Sequence, residues 1–167
     1  MKDRPKIKIK PTATDRLIDV AAWVLLLAQW TLVIVYYSKL PDIIPSHFNL
    51  KGDIDGSGGK AGIIFLPILT TVLLIGFTIA NRFPHILNYP VKITEDNALR
   101  QYTLATKLMR YINLATAILF GTIVFMVIQS AMGEADGLGA WFTPLLLGVM
   151  FIPVIVYLVK AFSSKTN

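Results

Sequence analysis

The sequence contains no cysteine and only two histidines, His47 and His85. A disulfide framework and a thiolate metal site are therefore excluded. A zinc site of three or four ligands would need at least one or two carboxylates even if it used both histidines. Charge is scarce as well: 16% of residues are Asp, Glu, Lys or Arg, against about a quarter in ordinary soluble proteins. No P-loop, dinucleotide fingerprint or nucleophile–base set occurs anywhere in the chain. The residues thus offer no catalytic group and no cofactor motif, and the expectation is a protein that is not an enzyme.

What is abundant is apolar. Hydrophobic residues make up 54% of the 167 residues, and the mean hydropathy is +0.61. Four apolar segments lie at about 17–38, 62–81, 108–132 and 140–162. Each has the roughly 20 residues needed to cross about 30 Å of hydrocarbon. Backbone amides find no water there, which leaves the helix as the workable conformation. The expected fold class is an all-α membrane protein of four transmembrane helices, with a short extracytoplasmic β-hairpin between helices 1 and 2. Residues 1–15 are expected to be a tail and 16–167 a single membrane domain. The outer loop spans 40–60 and an inner connector spans 82–94. Helix 3 is expected over 95–132, including an extension at the inner leaflet. Thr14 or Asp15 could cap helix 1, and Thr94, followed by Glu95 and Asp96, caps helix 3. Pro67 and Pro153 are expected to bend their helices, whereas Pro144 sits near the start of helix 4.

Six Lys or Arg precede the first apolar run, as in a signal peptide. That run is too long for a signal h-region and has no small-residue cleavage pattern, so it reads as a retained helix. The net charge of +6 does not point to nucleic acid, because the basic residues cluster where apolar runs end. Lys2, Arg4, Lys6, Lys8, Lys10, Arg16, Arg82, Lys92, Arg100, Lys107, Arg110, Lys160 and Lys165 share one side, leaving Lys39, Lys51 and Lys60 on the other. Such asymmetry places both termini in the cytoplasm and the 40–60 loop outside. Arg100, Thr103, Lys107 and Arg110 recur at helical spacing. The basic members are expected to meet lipid headgroups of the bilayer.

The outer loop, LPDIIPSHFNLKGDIDGSGGK from Leu40 to Lys60, carries most of the polar chemistry. Alternation predicts a strand over Ser46–Leu50, a turn at Lys51-Gly52-Asp53 and a short return strand at Ile54-Asp55. A three-residue turn would pair Leu50 with Ile54 and Asn49 with Asp55. Phe48, Leu50 and Ile54 would then share an apolar face, and His47, Asn49 and Asp55 a polar one. Inside the helices, Asp19, Gln29, Asn113, Thr122 and Gln129 are polar. Asp19 is expected to pair with Arg16 or Arg110. Ala117 and Gly121 form a small-xxx-small pair suited to close helix contact, within one chain or between two.

The run LPDIIPSHFN, followed by GDIDG and a lysine before a helix, resembles a bacterial membrane-protein family defined by a domain of unknown function. The same domain forms the N-terminal part of SdpI-type immunity proteins. The residues carrying the resemblance are Pro41, Pro45, His47, Phe48, Asn49, Gly52, Asp55 and Lys60. A second run resembles the continuation in stand-alone members, through Asn88, Tyr89, Pro90, Asn97 and Tyr102. The resemblance implies a multi-pass protein of the bacterial cytoplasmic membrane, with an immunity or signalling role and an outer loop that contacts a peptide or partner membrane protein. Two other classes stay open. One is a small transporter or channel subunit with Asp19, Gln29, Asn113 and Gln129 along a polar path. The other is a membrane enzyme whose metal is held by His47, Asp42, Asp53 and Asp55.

Overall fold

A computed structural model describes residues 4–163; Lys2 and Lys165, counted in the charge asymmetry, lie outside the described residues. Four helices are long and apolar enough to cross a membrane, and an antiparallel two-stranded hairpin lies between the first two. The elements are α1 (Ala13–Tyr36), β1 (Ile43–Phe48), β2 (Ile54–Gly59), a 3₁₀ turn at Lys60–Ile64, α2 (Phe65–Ala80), a second 3₁₀ turn at Pro84–Ile86, α3 (Glu95–Ala131) and α4 (Phe142–Phe162).

Helix α1 starts earlier than expected. Thr12, not Thr14 or Asp15, is the N-cap, and Asp15 completes a capping box with it. Its carboxylate accepts from the Thr12 backbone N–H and hydroxyl, both at 2.8 Å. The reciprocal bond uses donors that would otherwise be orphaned at the helix start, so residues 13–15 belong to the helix rather than to the tail. Thr94 caps α3 as expected, in a capping box with Asn97. Pro67 falls in the first turn of α2, where its missing N–H has no intrahelical role. Pro153 lies in the interior of α4.

The organising element is α3, whose 37 residues extend about 55 Å at 1.5 Å per residue. It packs against α1, α2 and α4 and is buried on more than one side. Asp19 meets Arg110 near one end of the pair, and Val33 meets Val124 and Ile128 near the other. Helices α1 and α3 therefore run in the same direction. Ala22, Leu26, Leu74 and Ala117 form the middle of the bundle. Ala117 packs inside the chain, whereas a Cβ on Gly121 would meet nothing within 4 Å. The small-xxx-small pair thus supplies one close contact rather than two.

The hairpin differs from its predicted register. Phe48 pairs with Ile54, and the ladder continues through His47–Gly56, Pro45–Ser57, Ile44–Gly58 and Ile43–Gly59. The glycine-rich run Gly56–Gly59, beyond the predicted return strand Ile54-Asp55, is also strand. The strand begins at Ile43 rather than Ser46, and Leu50 sits at the turn, 83% exposed. Glycine at position 56 makes this pairing feasible, since a Cβ there would lie 2.9 Å from His47 Cβ. Leu40, Ile44 and Ile63 are buried with Val33, Val124, Val127 and Ile128. Burying side chains of that size contributes roughly 1.5–3 kcal/mol each relative to water. That anchors the hairpin base to the helix ends.

Candidate functional site

The outer-loop site is built around the tip of the hairpin. Asn49 organises it: its Oδ1 accepts from the backbone N–H of Lys51 at 2.8 Å and of Asp53 at 3.1 Å. Its amide nitrogen donates to Asp53 Oδ2 at 3.1 Å. Gly52 takes φ +85, a conformation costly for any residue with a Cβ. These bonds commit Asn49 to shaping the turn, so the expected polar face of His47, Asn49 and Asp55 divides in two.

His47 and Asp55 remain together. The ladder passes over Ser46 on one strand and Asp55 on the other, and this irregularity brings the Asp55 carboxylate to His47 Nδ1 at 2.5 Å. Both side chains stay exposed, at 72% and 41%. At the neck of the loop, Lys60 Nζ lies 3.0 Å from Asp42 Oδ1 and 5.8 Å from the centroid of the Tyr37 ring. The Lys60 N–H donates to Asp42 O at 2.9 Å. Pro41 precedes this clamp, and Pro45 lies within β1 opposite Ser57.

Sequence reasoning missed the second outer element. The connection between α3 and α4 docks on the hairpin tip. Leu138 N–H donates to Gly52 O at 2.8 Å, Asp53 bridges to Gly137, and the Thr143 hydroxyl donates to Leu50 O at 2.7 Å. Gly137 and Gly139 both have positive φ. A Cβ on Gly52 would come within 2.5 Å of the Gly139 backbone, and one on Gly137 within 2.3 Å of Gly52 O. The available signal was the pair of glycine-containing loops at the same end of the bundle. Beneath the hairpin this leaves a groove of about 450 Å³, walled by Ile44, Pro45, Phe48, Phe65 and Phe142, with His47 at its edge. Among the described residues, no three His, Asp or Glu side chains come together as a metal would require.

At the opposite end, the tail is not free. Arg4 donates to the carbonyls of Leu87 at 2.6 Å and His85 at 3.3 Å, and lies 5.6 Å from the Tyr89 ring centroid. Tyr89 packs against Tyr102 at 5.4 Å and donates its hydroxyl to Pro84 O at 2.8 Å. Burial raises the Tyr89 phenol well above its ordinary pKa, which keeps it a donor. Asn97 completes the capping box of α3 and donates to Lys92 O at 3.0 Å, while Asn88 and Pro90 are exposed on the connector. The second motif run is therefore a fastening for tail and connector.

The basic stripe splits too. Arg100 donates to Lys160 O at 3.2 Å and Lys107 is half-buried. Arg110 does not face headgroups: it is 8% exposed, bonded to Asp19 Oδ2 at 3.0 Å and to Thr106 O at 3.4 Å. The nearest carboxylate in the bundle takes up its charge. Gln29 is buried with neither amide atom hydrogen-bonded among the described residues, as is the Asn113 carbonyl. Gln29 lies ten positions along α1 from Asp19, about 15 Å at helical rise, so these groups do not converge on one point.

Residues 24–71 match a family described as a domain of unknown function (DUF1648). The match runs from the middle of α1 through the hairpin into α2, and stops short of the Asn88–Tyr102 run. An uncharacterized protein of Archaeoglobus fulgidus is 28% identical over 80 residues, covering 43% of this chain and 44% of that protein. The chain thus spans less than half the length of that curated relative. No solved structure matches the chain. The hairpin with its flanking helix segments is accordingly similar to the DUF1648 domain, within a chain whose described residues hold four helices long and apolar enough to cross a membrane.

Proposed function

We propose that this protein is a non-enzymatic, multi-pass protein of the cytoplasmic membrane, with both termini inside, and that its outer hairpin is a receptor surface for a peptide or partner membrane protein. The reading is that of a sensor or immunity-like module. One observation carries it: the hairpin stands over an apolar groove large enough for one or two side chains, with exposed His47, the partner of Asp55, among its lining residues. An apolar floor with a few polar groups at its edge is the general form of a recognition site. The hairpin is also tied to the α3–α4 connection at two points and to the first turn of α4 at a third. A surface held before a ligand arrives loses less entropy on binding.

The transporter reading draws on Asp19 and on buried Gln29 and Asn113, and the roughly 15 Å between Gln29 and Asp19 along α1 favours the receptor reading over it. The receptor reading is tested with a photo-crosslinking residue at exposed Leu50 in intact cells. Adducts to an outside partner should form in the parent and fall at least about tenfold in His47→Ala and Asp55→Ala, with membrane levels unchanged; a tenfold loss corresponds to about 1.4 kcal/mol. Undiminished adducts in both variants would remove the pair from recognition. Loss of both variants from the membrane would make the pair structural instead.

A further inference from the structure

The end of the bundle opposite the hairpin holds a cleft that the receptor reading does not use. It measures about 390 Å³ and is lined by Lys8 from the tail, Asp19 of α1, Asn81 and Arg82 just past α2, and Arg110 of α3. Three cations therefore face a single carboxylate, and Arg110 already holds that carboxylate at 3.0 Å. Neither Lys8 nor Arg82 forms an ion pair among the described residues. The side-chain carbonyl of Asn81 is buried without a hydrogen-bond partner among them. Lys8 is positioned rather than loose, because Arg4, four residues earlier, is clamped to the connector at Leu87 O.

We propose that this cleft binds a phosphate group between Lys8 and Arg82, with the Arg110–Asp19 pair as its floor. The phosphate belongs either to an anionic lipid headgroup or to a free phosphate. A guanidinium fork matches two phosphate oxygens and a lysine supplies a point charge beside it. A phosphate bound there would offset the two positive charges the cleft leaves uncompensated. The level also fits. Arg82 lies two residues past the end of α2, and Lys8 four residues before the Thr12 cap of α1. Helix ends are where a spanning bundle meets the headgroup layer. The two residues proposed to hold the phosphate are separate from the predicted stripe, since Lys8 and Arg82 lie on the tail and the α2–α3 connector; Arg110, in the floor, is the one stripe residue the cleft includes. Bound phosphate would cross-link tail to connector.

The test uses the full chain, purified in a neutral detergent and stripped of lipid, at low ionic strength. It is titrated with dioctanoyl phosphatidylglycerol, with inorganic phosphate, and with dioctanoyl phosphatidylcholine as a headgroup of no net charge. Lys8→Gln and Arg82→Gln should each weaken phosphatidylglycerol binding by about tenfold, as expected for a lost charge-assisted hydrogen bond. The double variant should show no saturable binding, and His47→Ala should bind as the parent does. Competition by inorganic phosphate at comparable concentration assigns the site to free phosphate; its failure to compete assigns it to the lipid. Parent and double variant binding alike, or the parent binding neither anionic probe, would overturn the site. Both substituted residues are exposed, so thermal unfolding without probe should be the same for each variant as for the parent.

Discussion

Gly52 shows how much of the outer site rests on single atoms. Its φ of +85 and the closeness of the Gly139 backbone leave no room for a Cβ. Gly52→Ala should therefore destabilise the protein by about 2 kcal/mol or more, from left-handed strain and the displaced loop together. Gly59→Ala is the matched control, because a Cβ there meets nothing within 4 Å. Denaturant unfolding in detergent compares them, and equal midpoints would mean that the two outer loops do not depend on their contact. Asn49 teaches a related lesson. By alternation it belonged with His47 and Asp55, yet an Asn two residues before a turn can bond the turn's own N–H groups. Here it does so at 2.8 and 3.1 Å. Alternation reports which side of a strand a residue occupies and is silent on where the strand gives way to a turn.

Among the elements, α3 and α1 are joined by an ion pair with one buried and one half-exposed partner, at 10% and 40% side-chain exposure. Apolar helices gain little from the hydrophobic effect against each other in lipid, so packing and polar contacts carry more of their association. A double-mutant cycle of Asp19→Asn and Arg110→Gln should return a coupling energy of about 1–2 kcal/mol. Coupling near zero in thermal or denaturant unfolding would show that the pair is held by the bundle rather than holding it. The sequence already placed Arg110 among the candidate partners of Asp19. It also placed Arg110 in a headgroup-facing stripe, and both could not hold. Helical spacing aligns Arg100, Lys107 and Arg110 on one side of α3 but does not reveal that another helix covers the last of them.

For the whole molecule, the proposed orientation makes a direct prediction, helped by the absence of cysteine. Lys51→Cys at the hairpin tip should react with a membrane-impermeant maleimide in intact cells. Lys92→Cys on the connector should react only after the membrane is opened. Both positions are exposed, and the reverse labelling pattern would invert the topology. The sequence by itself determined the four spans, their hydropathy, the capping of α3 and the existence of a hairpin between the first two helices. These follow from properties local in the chain: apolar length against bilayer thickness, alternation, and capping residues beside a helix start. Tertiary structure alone decided the rest. It set the hairpin register, the docking of the α3–α4 connection on Gly52, the clamping of the tail by Arg4, and the meeting of Lys8, Arg82 and Arg110 around one cleft. Each of these joins segments distant in the chain, 83 residues apart for Arg4 and Leu87 and 93 for Leu50 and Thr143. A sequence pattern records what each segment can do. Which segments meet depends on how the helices pack, and on glycines that leave space where two backbones must touch.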